Sequence, residues 1–350
     1  MGDLPERMPA AVLKGPGRLE VEDVPVPSIG ADDVLVAVDH CGICGTDLHM
    51  VLEGWGTPGT WGGHEWTGRI AAVGDAVTRW QPGDLVVGGP PVRCGTCAMC
   101  LAARPSLCTA RDTPGTVPFQ GAFARYKAAG ADEVLPMPVG IDPRAAALAE
   151  PLAVALHGIE RGGAKPGQRV LVLGAGPIGA LSIAALRAVG VDDVACAEPS
   201  ATRQELAAAL GATEVVHPDE LVVPSIAEPG LIVDGAADVV LECSGKARAM
   251  QAGLAQLVSG GTLVLVGSGI EPPRFDPNRI ILNELVITGA CEYAEDGFEQ
   301  ALELLASGSL PIDLLLEPDD VALEDMLDAM RDLAEGRRAG KVLVRPRTES

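Results

Sequence analysis

The sequence predicts a two-domain α/β protein: a β-rich domain from residues 1–152 and 291–350, and a doubly wound parallel sheet from residues 153–290 between them. Three observations predict it. Residues 9–87 break into short, alternating apolar runs separated by Gly and Pro. Residues 169–289 alternate strand patterns with helical ones, the rhythm of a parallel sheet with crossover helices. After Ala290 that rhythm stops, and the chain ends on a strand-like run, Lys341–Arg345, placed to rejoin the first domain. At 350 residues the chain is too long for one ordinary core.

Composition excludes several classes of function. With 47% hydrophobic and 21% charged residues the chain is globular rather than disordered. A net charge of −22 argues against nucleic acid or an anionic membrane as partner, since both need a positive footprint. Met1 to Lys14 has no apolar signal region, and no run approaches the roughly 18 apolar residues of a membrane span. A cytoplasmic protein is therefore expected, where cysteines serve as metal ligands or catalysts more often than in disulfides. Six of the nine cysteines precede residue 109; Cys196, Cys243 and Cys291 sit singly in apolar runs and read as structural.

Taken in order, Ala10–Leu13, Leu19–Glu22 and Val34–Val38 read as antiparallel strands. Then comes Cys44-Gly-Thr46-Asp47-Leu-His49, a turn-rich bridge with Trp55 and Trp61, and Gly63-His64-Glu65. A soft thiolate, an imidazole and a carboxylate so close in sequence are able to hold a zinc ion and leave one position open. The bland alternative is a buried thiol and a polar turn. Trp66–Val73 reads as a strand, and Pro82-Gly83-Asp84 as the turn into Leu85–Val87.

Cys94-x2-Cys97-x2-Cys100-x7-Cys108 is the strongest local signal. Four thiolates close a tetrahedron around zinc with no open position, so a structural role is expected. An iron–sulfur cluster uses other spacings, and a nucleic-acid zinc ribbon needs basic surroundings. Asp142-Pro143 signals a helix start, and residues 142–162 read as helical. Within them Glu150 is an expensive carboxylate in an apolar stretch unless paired or bound to metal; His157 reads as a core residue.

Arg169–Leu173 is a buried strand running into Gly174-Ala-Gly176-Pro177-Ile178-Gly179 and then an Ala-rich helix. In that context G-x-G-x-x-G is the dinucleotide fingerprint: the glycines give a tight turn, close approach of a pyrophosphate and close helix–strand packing. The next strand, Asp193–Ala197, ends at Glu198, placed to accept from the adenosine ribose hydroxyls and to repel a 2′-phosphate. That favours NAD over NADP, with Arg203 leaving some room for NADP. Helix 201–210, strands 214–217 and 238–243, helix 247–258, and strands 262–267 and 285–289 complete the sheet. Helices near 295–307 and 323–335 follow.

These residues resemble the zinc-dependent medium-chain dehydrogenases/reductases, the alcohol dehydrogenase superfamily. The resemblance spans nearly the whole chain and rests on five features in the family's order: Gly42-Ile-Cys44-Gly-Thr46-Asp47, Gly63-His64-Glu65, the Cys94/97/100/108 lobe, Glu150-Pro151 and Gly174–Gly179. The run Glu150-Pro-Leu-Ala-Val-Ala-Leu-His157-Gly158 is most similar to the sorbitol, butanediol and sugar dehydrogenase branch. The resemblance implies a GroES-like catalytic domain with a zinc lobe at 90–110, a Rossmann cofactor domain, and two zinc ions per chain. It implies that Cys44 and His64 bind the catalytic zinc, with Glu65 as ligand or exchanger, Glu150 bound directly or through water, and Cys41 a bystander. Asp47 would hydrogen-bond His64. Thr46 would contact the substrate hydroxyl and pass its proton by way of the nicotinamide ribose to His49, an imidazole of ordinary pKa about 6.5. Gly45 departs from liver-type enzymes, which carry an Arg on the pyrophosphate there; the helix start after Gly176 and Lys341 are expected to meet that charge instead.

The expected reaction is hydride transfer between a secondary alcohol (polyol, sugar or diol) and NAD. Primary or aromatic alcohols are an alternative, and a non-catalytic nucleotide-binding regulator is one of another class. Trp55 and Trp61 either wall the substrate cleft or pack in the core. Strand 285–289 is expected to pair across a two-fold, giving a homodimer or homotetramer.

Overall fold

The computed structural model describes residues 4–90, 93–110 and 120–346; residues 91 and 92 of the expected zinc lobe thus lie outside the described residues. The strands are β1 Arg7–Gly15, β2 Arg18–Pro25, β3 Asp33–Gly42, β4 Glu65–Val73, β5 Leu85–Gly88, β6 Tyr126–Gly130, β7 Val134–Pro136, β8 Arg169–Leu173, β9 Asp193–Ala197, β10 Glu214–Val216, β11 Ala237–Glu242, β12 Leu257–Leu265, β13 Val286–Gly289 and β14 Leu343–Val344. The α-helices are α1 Gly45–Leu52, α2 Ala98–Leu101, α3 Pro143–Ala146, α4 Ala149–Gly162, α5 Pro177–Ala188, α6 Ala201–Ala209, α7 Ala247–Ala255, α8 Pro277–Leu282, α9 Gly297–Ala306, α10 Ile312–Leu315 and α11 Met326–Ala334.

Two architectures share the chain. β8–β13 form a parallel sheet in the order β10-β9-β8-β11-β12-β13, the doubly wound arrangement in which strand order reverses beside β8. The β-rich part holds the β1–β2 hairpin and an antiparallel sheet ordered β14-β3-β4-β5-β7, with β6 also on β3. β14 pairs Leu343 with Gly42 and Val344 with Cys41, so the C-terminus does return to the first strands. Arg144 fixes the same return by bonding the Asp320 carboxylate at 2.9 Å and the Glu317 carbonyl at 2.9 Å.

Helix α4 joins the two parts. Ala149, Leu152, Ala153, Ala155 and Ile159 are buried against the parallel sheet and α5. Gly162 lets the helix lie close, since a Cβ there would meet Val239 at 2.6 Å. Residue 152, the expected domain boundary, falls inside this continuous helix. Asp142 starts α3 as expected, accepting from the Arg144 backbone N–H at 2.8 Å.

One helix was expected three residues too long. α7 ends at Ala255 and Leu257 already pairs with Ala237, because Gln256 turns the chain and gives its carbonyl to the Ala237 N–H at 2.7 Å. β12 therefore starts at Leu257 and runs through Gly260 and Gly261 to Leu265, rather than spanning 262–267.

Candidate active site

The ends of β3 and β4 and the start of α1 build the first site. Cys44 is the N-cap of α1, with an extended backbone. Asp47, three residues on, accepts from the Cys44 N–H at 2.9 Å, closing a capping box that fixes the helix start. Gly63 brings the second half in: its φ is +98°, and a Cβ would strike the Phe123 backbone N at 2.7 Å and the Cys41 sulfur at 2.8 Å. Only glycine lets His64 and Glu65 follow at the head of β4.

The outcome is that one ligand atom each of Cys44, His64 and Glu65 lies within 4.8 Å of the others. Cys41 is not part of this set; its thiol is buried, and desolvation pushes its pKa well up. Burial alone would depress His64, but the Cys44 sulfur, charged and hydrogen-bonded, and the Asp47 and Glu150 carboxylates raise it well above the ordinary value. Glu150, at the first turn of α4, stays outside the 4.8 Å set yet feels His64, Glu65 and Lys341; desolvation lifts its pKa to about 7. An excess of converging anionic donors is a site that favours a cation.

Glu65 gives the most direct test of fit. It is 0% exposed, its Oε1 accepts from Lys341 Nζ at 2.6 Å, and its Oε2 has no hydrogen-bond partner among the described residues. A buried carboxylate oxygen without a partner is costly, and a zinc ion held with Cys44 and His64 would satisfy it.

Two expected placements need correcting, and one open alternative is decided. Lys341 is only 1% exposed, and its Nζ is spent on Glu65 and on the Ile43 carbonyl at 3.2 Å, so it is not free to meet a diphosphate. Asp47 spends its carboxylate on the Cys44 and Gly63 backbone N–H groups and acts on His64 through charge, not as the expected hydrogen-bond partner. Trp61 is buried, with its Nε1 donating to the Gly121 carbonyl at 3.1 Å, and belongs to the core rather than to a cleft wall. Trp55, by contrast, is 47% exposed and stacks on His49, ring centroids 4.7 Å apart. Thr46 lies in the first turn of α1 and His49 in the last.

The second cluster is closed. The sulfurs of Cys94, Cys97, Cys100 and Cys108 all lie within 4.8 Å of one another, with Cys94–Cys108 at 3.5 Å and Cys94–Cys100 at 4.0 Å. Zinc–sulfur bonds of about 2.3 Å give tetrahedral edges of about 3.8 Å, so the four fit that ion with no position to spare. Backbone N–H groups stabilise thiolates here: that of Cys100, at the start of α2, leads in lowering Cys97 to about 5. Arg93 ties the lobe to Glu292, which sits in a left-handed conformation at φ +55°.

The third element is the loop from β8 to α5. Gly174 has φ +89°, and a Cβ on Gly179 would overlap the Gly174 carbonyl oxygen at 1.8 Å. Beside Gly176 the space is open except for the Arg203 guanidinium, 3.9 Å from where a Cβ would sit. This is a cradle that fits a pyrophosphate at the start of a 12-residue helix whose first residues are Pro177, Ile178 and Gly179. Glu198 rims it, accepting from the Ala175 N–H at 2.7 Å and the Ser200 N–H at 2.9 Å. Arg203 gives its Nε and Nη2 to the carbonyls of Arg338 and Leu333. Sequence reasoning missed Glu242, fully buried at the end of β11, where it accepts from the Ser244 and Gly245 N–H groups and holds Ser244 against Gly174. A carboxylate closing an apolar strand before Cys-Ser-Gly was the available signal.

A zinc-binding, dinucleotide-dependent dehydrogenase is the class that this fold and these sites define, and comparison agrees. Residues 30–139 match the alcohol dehydrogenase GroES-like domain, and residues 177–307 match the zinc-binding dehydrogenase domain. The chain is 35% identical to the sorbitol dehydrogenase of Bacillus subtilis (strain 168), over 98% of both chains. Among solved structures it is similar to the 2R,3R-butanediol dehydrogenase of Bacillus subtilis, with TM-score 0.84, 28% identity, and 97% and 100% of the two chains covered. A Sinorhizobium meliloti 1021 protein assigned as a zinc-binding dehydrogenase and solved with NADP bound superposes with TM-score 0.85 at 32% identity, covering 98% and 100%. The chain belongs to the zinc-binding medium-chain dehydrogenase/reductase family, in its polyol dehydrogenase branch, and is an oxidoreductase.

Proposed function

We propose that this chain oxidises a secondary alcohol of a polyol, sugar or diol with NAD, and reduces the corresponding carbonyl in reverse. The observation that carries the proposal is the buried Glu65 carboxylate: one of its oxygens lies within 4.8 Å of a ligand atom each of Cys44 and His64, its Oε2 has no hydrogen-bond partner among the described residues, and Glu150 acts on the same group through charge. The sorbitol and butanediol dehydrogenases among the relatives support the substrate class.

Cys44, His64 and Glu65 would hold the catalytic zinc, with Glu150 able to reach it directly or through water; Cys94, Cys97, Cys100 and Cys108 would hold the structural one. Gly174–Gly179, Glu198 and Arg203 would hold the dinucleotide. When bound, zinc supplies Lewis acidity toward the alcohol oxygen and the nicotinamide accepts the hydride. Thr46 holds the substrate hydroxyl and takes its proton toward His49, whose ring reaches solvent at the end of α1. Asp47 keeps Cys44 and His64 in register by holding both backbone segments. Glu198 supports NAD over NADP through its negative charge at the end of β9, which would repel a 2′-phosphate, while its two oxygens are held by the Ala175 and Ser200 N–H groups. Bound NADP in the Sinorhizobium protein makes that preference the part most worth testing.

Residues 1–152 and 291–350 serve as the catalytic domain and 153–290 as the cofactor domain. Exposed Ile281, Leu282 and Val286 beside the free edge of β13 support a homodimer or homotetramer. Nine free cysteines suit the cytoplasm, and among the described residues no helix is long and apolar enough to cross a membrane. The test is NADH and NADPH formation over a panel of polyols, diols, aldoses and aryl alcohols. Polyols or diols with NAD are expected to lead; aryl alcohols leading, or silence throughout with zinc bound, would overturn the proposal.

A further inference from the structure

His49 is held from two sides by groups that the proposed proton path does not use. Its Nδ1 lies 2.7 Å from Glu53 Oε2, and the Trp55 indole stacks on the ring at an interplanar angle of 18°. The Trp55 backbone N–H donates to the His49 carbonyl at 3.2 Å, so the stacking residue is itself tied to the backbone it covers. A carboxylate on Nδ1 requires the proton there, and in the neutral ring this leaves Nε2 with a free lone pair.

Helix stability does not account for Glu53. It is the C-cap of α1, where a carboxylate faces the negative end of the helix. The pair also runs His before Glu at i, i+4, opposite to the order in which an acid–base pair supports a helix. The carboxylate stands at a position that is mildly unfavourable for the fold and favourable for the ring.

We propose that Glu53 is a positioning residue for the proton path: it fixes the Nδ1–H form of His49, Trp55 fixes the ring plane, and Nε2 is thereby presented as the acceptor. In alcohol oxidation Nε2 takes the proton released by the substrate hydroxyl through Thr46, giving an imidazolium that keeps its Nδ1–H on Glu53. The Nε2 proton then passes to water, restoring the neutral ring. No other bond is made or broken on His49. This rests on the relay role proposed above for His49.

Two measurements test it on the full-length, zinc-loaded protein. The first is nitrogen-15 NMR of the imidazoles, with the His49 signals assigned by their loss in H49Q. With the pH raised until the ring is neutral, the wild type is expected to show protonated Nδ1 and bare Nε2, and E53A to lose that preference. An Nε2–H ring in the wild type would overturn the proposal without any turnover being measured. The second is steady-state kinetics with the best substrate of the panel. E53A is expected to lower kcat about tenfold with KM for NAD little changed, and E53Q, whose amide oxygen still accepts from Nδ1, to recover most of it. If H49Q lowers kcat but E53A does not, Glu53 has no positioning role and the relay stands. If H49Q leaves kcat intact, the relay itself fails and this inference falls with it.

Discussion

The two cysteine clusters use the same atom and differ in what surrounds it. Around Cys94, Cys97, Cys100 and Cys108 every ligand is a sulfur from one short stretch, and backbone N–H groups of that stretch hold the thiolates. Around Cys44 the donors come from β3–α1 and β4, are of three chemical kinds, and lean on partners from across the chain: Lys341 on Glu65, Glu150 through charge. A closed set of identical ligands organises its own loop. An open, mixed set must be organised by the rest of the fold, and keeps a position for chemistry.

The largest effect should come from breaking the open set. C44S or H64A is expected to lower kcat roughly a thousandfold, as loss of several kcal/mol of Lewis-acid stabilisation implies. The melting temperature should stay within a few degrees of wild type, since this site is built by β3, β4 and α1 regardless of the ion. Turnover assays and thermal scans on the same preparations separate the two effects. C97S reverses the pattern: among its described residues the lobe has no apolar core of its own, its α2 having no buried residue. Loss of one thiolate should lower Tm by roughly 10 °C or abolish soluble folding. Equal behaviour of C44S and C97S would erase the distinction.

The same contrast explains how much was legible in the sequence. The lobe could be read outright, because its four ligands and their spacing are local. The fingerprint at 174–179 was equally local, and the return of the chain to β3 showed as a change of rhythm after Ala290. The role of Lys341 was not legible. Its partner Glu65 is 276 residues away, and a lysine near a cofactor domain looks like a phosphate ligand until the pair is seen buried. Asp47 was read as the partner of an imidazole because two backbone donors, Cys44 and Gly63, are invisible in a list of side chains. Trp61 and Trp55 are six residues apart and alike in composition. Only the fold decides that one faces the core and the other His49.

K341M sharpens the link between the open site and its support. Removing one partner of a buried ion pair leaves the other charge uncompensated and costs roughly 3 kcal/mol. In the metal-free protein that cost should appear in full, because Glu65 would then have both oxygens without a cation. With zinc loaded the loss should shrink, since the ion takes over the orphaned charge. Denaturant melts of wild type and K341M, each with and without zinc, measure the difference; an equal loss in both states would mean that Glu65 does not face the metal.

The smallest effect concerns the pH dependence of the same site. Glu150 is held at about 7 in the folded, metal-free chain, chiefly by desolvation, against about 4.5 unfolded. Between those values the folded state binds the proton more tightly, so its contribution is fully present below about 4.5 and is lost as pH rises through about 7. His64, raised in the folded state, acts in the same direction, its contribution falling as pH climbs through its folded value. His40, depressed chiefly by burial against the raising pull of Asp320, acts oppositely, so total stability need not show the trend. The difference between wild type and E150Q isolates it. Metal-free wild type should lose stability relative to E150Q from pH 5 to pH 7, and zinc loading should cancel that loss by favouring the ionised carboxylate. A flat difference in the metal-free protein would place Glu150 in contact with water and end its support of the open set, leaving Cys44, His64 and Glu65 to hold the ion alone.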